Sequence, residues 1–454
     1  MAVASSLWLD SISLPQRAAL TGDFEADVAI VGGGMTGLWT AYYLKQLDPN
    51  RSVMVIERHH VGFGASGRNG GWIVGELASG VDSYARLSSH EAAMRLYRSV
   101  FDSVDEIGRI VEHESIDCGY AKGGTIRWAR NAAQARRQAD EIAHEHAAGF
   151  TEDDFRLLNA DEACAIGNAA DVHSGIFFAH TAAVDPARLV RGLANACEDA
   201  GVVIIERTTV ESIGDREIIT DRGTVRAEHI VRATEGYTRD IDGERRRLLP
   251  VYSRMIATEP LSTDVWGEIG LADRPTFADD RYMVIYGQRT EDDRIAFGGR
   301  GIPYLFGSTI DPSGEVSDES HAKVEEALYE LFPILRGVDI THRWGGVLGI
   351  PRDWMPFVHH DPTAGFLAAG GYVGEGVAPA NLAGRTMAEL ITGTDSERVD
   401  LPWVKKLPRR WEPEPLRWLG VRGSYQLMAR ADDVENRGKE SKLGMALANF
   451  LRGD

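Results

Sequence analysis

Near the N-terminus, Gly32-Gly33-Gly34-Met35-Thr36-Gly37 has the residue types and spacing to bring backbone N–H groups against a pyrophosphate. Main chain and phosphate must meet closely, so Gly32 and Gly34 must lack side chains, while Gly37 lets the following helix pack on the preceding strand. Glu57 stands 20 residues after Gly37, at the end of a second apolar run. There a carboxylate accepts hydrogen bonds from ribose hydroxyls and repels a 2′-phosphate, which disfavours NADP. A glycine turn alone also serves as a tight connection; the strand before it, the helix after it and the distant acid make it a dinucleotide site. Residues 64–72 (GASGRNGGW) form a glycine-dense loop that lets backbone approach a flat ring. An NAD domain needs no such loop, so the cofactor read is FAD.

These residues need elements to hold them. The apolar run 26–31 ends on the glycines and leads into a helical pattern over 38–47, and 53–57 reads as a second strand, giving a βαβ unit with parallel strands. Residues 89–113 and 132–148 have helical period. A helix over 186–200 then runs into strands at 202–206, 209–213 and 224–233. Strand-like pieces at 253–258, 282–286 and 294–298 precede a helix over 318–335, and 365–369 leads through glycines into a helix over 379–392. The tail beyond Leu401 has eleven Lys or Arg against seven Asp or Glu, with Trp403, Trp411 and Trp418, and reads as a packed cap without a sustained amphipathic helix.

The fold class expected is α/β with an α+β insert: a Rossmann-like FAD-binding domain, an inserted β-rich substrate domain and a C-terminal cap. The FAD-binding domain takes residues 1–80, 170–245 and 340–400, the substrate domain 81–169 and 246–339, and the cap 401–454. At 454 residues, two domains are the natural division. The formal charge of −19 opposes nucleic acid and anionic bilayers as partners. Three scattered cysteines, Cys118, Cys164 and Cys197, argue against a disulfide framework and against a metal site. With no leader-like start and no run of 18 apolar residues, the expected location is cytoplasmic. Neither a Gly-x-Ser-x-Gly elbow nor a His-Glu-x-x-His pair is present, which excludes the corresponding hydrolases.

The opening Ser6-Leu7-Trp8-Leu9-Asp10, the turn followed by Leu38-Trp39-Thr40-Ala41, the loop 62–72 and the late stretch 370–377 occur in the order that resembles the glycine and D-amino acid oxidase superfamily, closest to its gamma-glutamylputrescine oxidase-like branch. The resemblance spans nearly the whole chain. It implies that Gly32, Gly34 and Gly37, with Met35 and Thr36, take the pyrophosphate, that Glu57 and Arg58 hold the adenosine, and that Val210 meets the adenine through its backbone. It also implies cofactor contacts from Gly64, Ala65, Ser66, Gly67, Arg68, Asn69, Gly70 and Gly71, from the turn Ala233, Thr234 and Gly236, and from Gly349. Gly374, Glu375, Gly376 and Val377 resemble the turn that opens the last helix, whose N–H groups stabilise negative charge on the reduced flavin.

Departures from the family are as informative. Relatives that bind FAD covalently use a histidine or cysteine near the flavin, and the loop here offers neither, so the FAD is expected to be non-covalent. Residues 344–356 (WGGVLGIPRDWMP) match the stretch in which relatives carry an arginine for the substrate carboxylate, and Leu348 stands in its place. Bidentate pairing by arginine is hard to replace, so an amine is favoured over an α-amino acid. Arg68 steers substrate or stabilises reduced flavin, and Arg300 or Arg352 supplies a charge from another side if an acid is bound. Arg300 and Tyr304 either line the pocket or close a turn; Tyr372 either walls the substrate or packs in the core.

The resemblance implies oxidation of a C–N bond in an amine, primary or secondary, polyamine-like or glutamyl-amine-like, by hydride transfer to flavin, giving an imine that water hydrolyses. Molecular oxygen or another carrier accepts the electrons. Two alternatives stay open: an imino or N-methyl amino acid oxidase or dehydrogenase, and a flavin-binding protein without catalysis.

Overall fold

The computed structural model describes residues 6–446 apart from 11, 15, 300–303 and 445. The strand Phe24–Val31 lies at the centre of an eight-stranded sheet, parallel to Val53–Ile56 on one side and Gly223–Arg232 on the other. Val203–Ile205 extends one edge; Phe366–Gly370 and Phe357–Asp361 extend the other, and the hairpin Val210–Ile213 with Glu217–Thr220 branches from Gly223–Arg232. Both faces of the central strand are covered. Val28 and Ile30 enter the core beneath the helices, while Ala29 and Val31 pack with Met54 and Ile56 on the opposite face. That double burial explains the unbroken apolar run in the sequence.

Two helices from distant parts of the chain, Met35–Leu47 and Val377–Thr392, cross closely on this sheet. A Cβ on Gly384 would lie 2.5 Å from the Trp39 Cβ, so the contact requires glycine there. Other helices are set by local capping. The Ser89 hydroxyl accepts from Ala92 N–H at the start of His90–His113, and Asp185 accepts from Ala187 and Arg188 N–H with Pro186 at the first helical position of Pro186–Asp199.

The second eight-stranded sheet runs Ile340–Ile350, Leu249–Thr258, Ile295–Gly299, Ile285–Arg289, Thr276–Asp279, Thr125–Ala129, Ser174–Phe178, Phe155–Asn159. Its pairs are antiparallel except Thr276–Asp279 with Thr125–Ala129. In Leu249–Thr258, Ile256 joins Phe277, Phe297 and Leu328 of the helix Asp318–Leu331, while Met255 and Ala257 turn to the other face and meet Trp344 and Trp8. The expected mixture of a dinucleotide-binding sheet and a β-rich module is present.

Several details differ from the sequence reading. The stretches 174–178 and 340–350, expected with the cofactor domain, pair in the second sheet, because Ile340–Ile350 finds its partner along nearly the whole of Leu249–Thr258. The strand expected at 282–286 begins at Ile285. The tail contains a 20-residue helix, Leu416–Glu435, that the weak apolar pattern hid. Asp432 on that helix accepts the N–H groups of Tyr282 and Met283, so the tail is tied down by polar contacts more than by an apolar stripe. Among the described residues no helix is long and apolar enough to cross a membrane, and no cluster of ligating side chains could hold a metal ion.

Candidate active site

The glycine turn is built as its spacing requires. Gly32 takes φ +113°, and a Cβ there would lie 2.4 Å from the Ala233 carbonyl oxygen. A Cβ on Gly37 would lie 2.1 Å from the Gly32 oxygen, and one on Gly34 would lie 2.8 Å from Ser66 Oγ. The cradle is therefore bare main chain at the N-terminus of Met35–Leu47, which has no side-chain cap; Met35 N–H donates to Ser66 Oγ at 2.9 Å. Glu57 accepts from Gly33 and His59 N–H, 2.9 Å each, which fixes its carboxylate at the turn. Burial pushes that carboxyl up, and the backbone donors pull against it. Arg58 is exposed and pairs with Asp240 at 2.8 Å. Val210 opens its strand half-buried and pairs with Thr220.

The loop 64–72 is held from three directions. Trp8 Nε1 donates to the Asn69 carbonyl and Trp344 Nε1 to the Arg68 carbonyl, each at 2.9 Å, and Gln288 Nε2 donates to the Gly70 carbonyl at 2.8 Å. Asn69 bonds inward to the Ala65 and Ser66 carbonyls and accepts Gly71 N–H. Gly64 lies against the Tyr237 ring, and a Cβ on Gly67 would lie 2.4 Å from the Gly62 oxygen. Arg68 is 4% exposed; it pairs with Glu315 at 2.8 Å, lies over the Phe63 ring and leaves its buried Nε without a partner.

The second helix N-terminus arrives from the turn 373–376. Val373 and Gly374 take φ +56° and +102°, and Val377–Thr392 begins after Gly376 with no side-chain cap. Helices Met35–Leu47 and Val377–Thr392, neither capped by the side chain of its own N-cap residue, thus both open on one cavity of about 1270 Å³, lined among others by Met35, Thr36, Ala65, Ser66, Asn69, Gly70, Gly374, Glu375, Gly376 and Val377. Tyr372 is buried against it, its hydroxyl 3.0 Å from Thr36 Oγ1, and burial raises its phenol well above the ordinary range.

Sequence reasoning missed Glu235, the variable residue of the turn Ala233-Thr234-Glu235-Gly236. It sits at φ +43°, and its Oε1 accepts from Gly371 and Tyr372 N–H, 3.0 Å each. Gly349 N–H also points to this carboxylate, so Gly349 serves to join the second sheet to the turn. A Cβ on Gly236 would lie 2.7 Å from Val347 Cγ1 at the same seam. Burial pushes Glu235 up to about 7 against the pull of those donors. The signal available was a carboxylate set among glycines, where a side-chain acceptor has several bare N–H groups within reach.

The candidate substrate residues separate clearly. Leu348 lines the cavity. Arg352 does not, being spent on Glu412 through two 3.0 Å contacts and stacked on Trp411. Tyr304 belongs to the tail, with its hydroxyl bonded to Glu414 and accepting from Arg417 Nε. Arg300 lies outside the described residues. Of the six arginines on the cavity wall, five are ion-paired: Arg68 with Glu315, Arg127 with Glu141 and Asp280, Arg136 with Glu440, Arg137 with Glu435 and Arg281 with Asp279; the sixth, Arg86, donates to Ser83 Oγ at 3.1 Å.

A bare glycine cradle, two uncapped helix N-termini and a carboxylate at the end of the second strand fit the phosphates, flavin and ribose of FAD. Comparison with known proteins agrees. The chain is 31% identical over 401 residues to Probable oxidoreductase OrdL of Haemophilus influenzae, covering 86% of this chain and 88% of that one. It is 31% identical to gamma-glutamylputrescine oxidoreductase of Escherichia coli, covering 84% and 87%. Glycine oxidase from Geobacillus kaustophilus shares the fold, with a TM-score of 0.71, 20% identity and coverage of 86% of this chain and 100% of that one. Residues 27–390 match the model of the FAD dependent oxidoreductase family, DAO. The chain belongs to that family and is an FAD-dependent oxidoreductase.

Proposed function

We propose that this enzyme oxidises a C–N bond in an amine that lacks an α-carboxylate. The observation that carries this reading is the cavity wall, where Leu348 replaces the family's carboxylate clamp and the guanidiniums of Arg68, Arg127, Arg136, Arg137 and Arg281 are paired with carboxylates. A substrate carboxylate would have to break one of those pairs, draw Arg86 away from Ser83, or enter without a counter-charge, and each costs interactions already made. An amine enters neutral and needs no such partner. When bound, FAD supplies the acceptor for a hydride, that is one hydrogen nucleus with two electrons, and passes the electrons to oxygen.

The substrate carbon loses that hydride while the nitrogen lone pair forms the C=N bond; water then adds to the carbon and the C–N bond breaks, leaving a carbonyl compound and ammonia from a primary amine, or a smaller amine from a secondary one. The chain's own part is positioning and polarisation. The N-terminus of Val377–Thr392 offers N–H groups to developing negative charge, and Tyr372, fixed by Thr36, walls the cavity. In this reading the FAD is held without a covalent link by the two helix termini and the loop 64–72. Anaerobic mixing of the holoenzyme with putrescine, n-butylamine, N-methylglycine and D-alanine tests the reading: bleaching of the flavin by the amines supports it. Bleaching confined to the two carboxylated compounds would overturn it in favour of an imino or N-methyl amino acid oxidase.

A further inference from the structure

The cavity is unbalanced in charge. Eleven carboxylates and six guanidiniums line it, and the arginine pairs described above leave the excess negative. Glu76 is where that excess has no answer. It follows the strand Trp72–Val74, which pairs with Thr181–Ala183 and continues directly from the loop 64–72, so the segment that cradles the cofactor also places this side chain. Among the described residues Glu76 accepts no hydrogen bond and forms no ion pair. The charged group that acts on it most is Glu375 of the turn before the last helix; the next is Arg127, whose charge is already claimed by Glu141 and Asp280. Burial first, and then Glu375, push its carboxyl up to about 8. A half-buried carboxylate with no hydrogen-bond donor and a negative field around it is unfavourable as an anion until a cation joins it.

We propose that Glu76, on the cavity wall that Glu375 also lines, is a specificity-determining residue that seats an ammonium group of the substrate, and that this ammonium is not the nitrogen being oxidised. The second half follows from chemistry. Loss of hydride from carbon needs the lone pair on the adjacent nitrogen, whereas a carboxylate such as Glu76 stabilises the protonated nitrogen and withholds that lone pair. The nitrogen held at Glu76 is therefore a spectator, and the substrate carries at least two basic nitrogens, as a diamine or longer polyamine does. This rests on the amine reading and narrows it.

The experiment compares putrescine with n-butylamine, which share a four-carbon chain and differ by the second ammonium. In anaerobic stopped-flow titrations of the holoenzyme, the dissociation constant and limiting bleaching rate are obtained separately for each amine. Wild type is expected to bind putrescine more tightly, and Glu76→Gln is expected to reduce that preference about tenfold, mostly through the dissociation constant. Glu76→Asp, which keeps the charge, is expected to retain the preference. An unchanged preference in Glu76→Gln, or its loss in Glu76→Asp with FAD absorbance intact, would overturn the proposal. If neither amine bleaches wild-type flavin, the amine reading itself has failed. Calorimetry then still reads the seat: putrescine binding about tenfold weaker to Glu76→Gln supports it, and equal or absent binding overturns it.

Discussion

Arg68 and Glu315 are buried ion-pair partners, 2.8 Å apart in space and 247 positions apart in sequence. The pair ties the cofactor loop to the segment Pro312–Glu315 beside the second sheet, and Arg68 also donates to the Gly345 carbonyl at 3.3 Å. Burial pushes the Glu315 carboxyl up, and Arg68 restrains it. Removing one partner strands the other. Glu315→Ala is expected to destabilise the protein by about 3–5 kcal/mol in urea unfolding, whereas the double replacement Arg68→Met with Glu315→Leu recovers most of that loss. A double variant as unstable as the single one would show that the pair's worth lies elsewhere.

Gly34→Ala places a Cβ 2.8 Å from Ser66 Oγ, in the space a phosphate oxygen needs and against the hydroxyl that receives Met35 N–H. The expected result is a folded protein that binds FAD at least about tenfold more weakly, a loss of about 1.4 kcal/mol. Fluorescence quenching of added FAD measures it. Full retention of FAD would mean that the pyrophosphate does not lie on this turn.

Leu348→Arg restores a guanidinium to the wall where five arginines are already paired. The new charge has no dedicated partner, so kcat/KM for α-carboxylated amines relative to simple amines is expected to rise at least about tenfold. An unaltered ratio would place the substrate away from Leu348.

Glu235 gives a pH signature. Its carboxyl stands at about 7 in the folded protein against an ordinary 4.5, so between those values the native state keeps a proton that the unfolded chain has released. Stability contributed by this group is therefore present below about 4.5 and lost as pH rises towards 7, by up to about 3 kcal/mol at about 1.4 kcal/mol per unit. Urea unfolding of the FAD-free protein across that range should show Glu235→Gln escaping the decline. Parallel curves for the two proteins would refute the assignment.

What the sequence revealed divides along a physical line. The turn 32–37, its flanking strand and helix, and the second uncapped helix at 377 were legible because bare backbone and short-range periodicity are local properties. Residues 340–350 were grouped with the FAD-binding domain, whereas Ile340–Ile350 pairs with Leu249–Thr258, a long-range choice that no local pattern records. Glu235 and Glu76 went unread for a related reason: a carboxylate in a loop looks like a solvated surface group until burial is known. Arg68 stood out in the loop as a charge among glycines, but its partner Glu315 lies in another element and could not be paired from spacing. The helix Leu416–Glu435 escaped because its anchors, Asp432 and Glu435, are polar.

The position of Phe366–Gly370 in the first sheet has a consequence for how the protein is made. This strand covers the flank of Gly223–Arg232, and the turn 373–376 with its helix follows directly behind it. On a translating ribosome, the first three hundred residues emerge with that flank open and with only one of the two helix N-termini that open on the cavity. A nascent chain therefore waits with an exposed ladder of unpaired backbone groups, the kind of edge that recruits other strands.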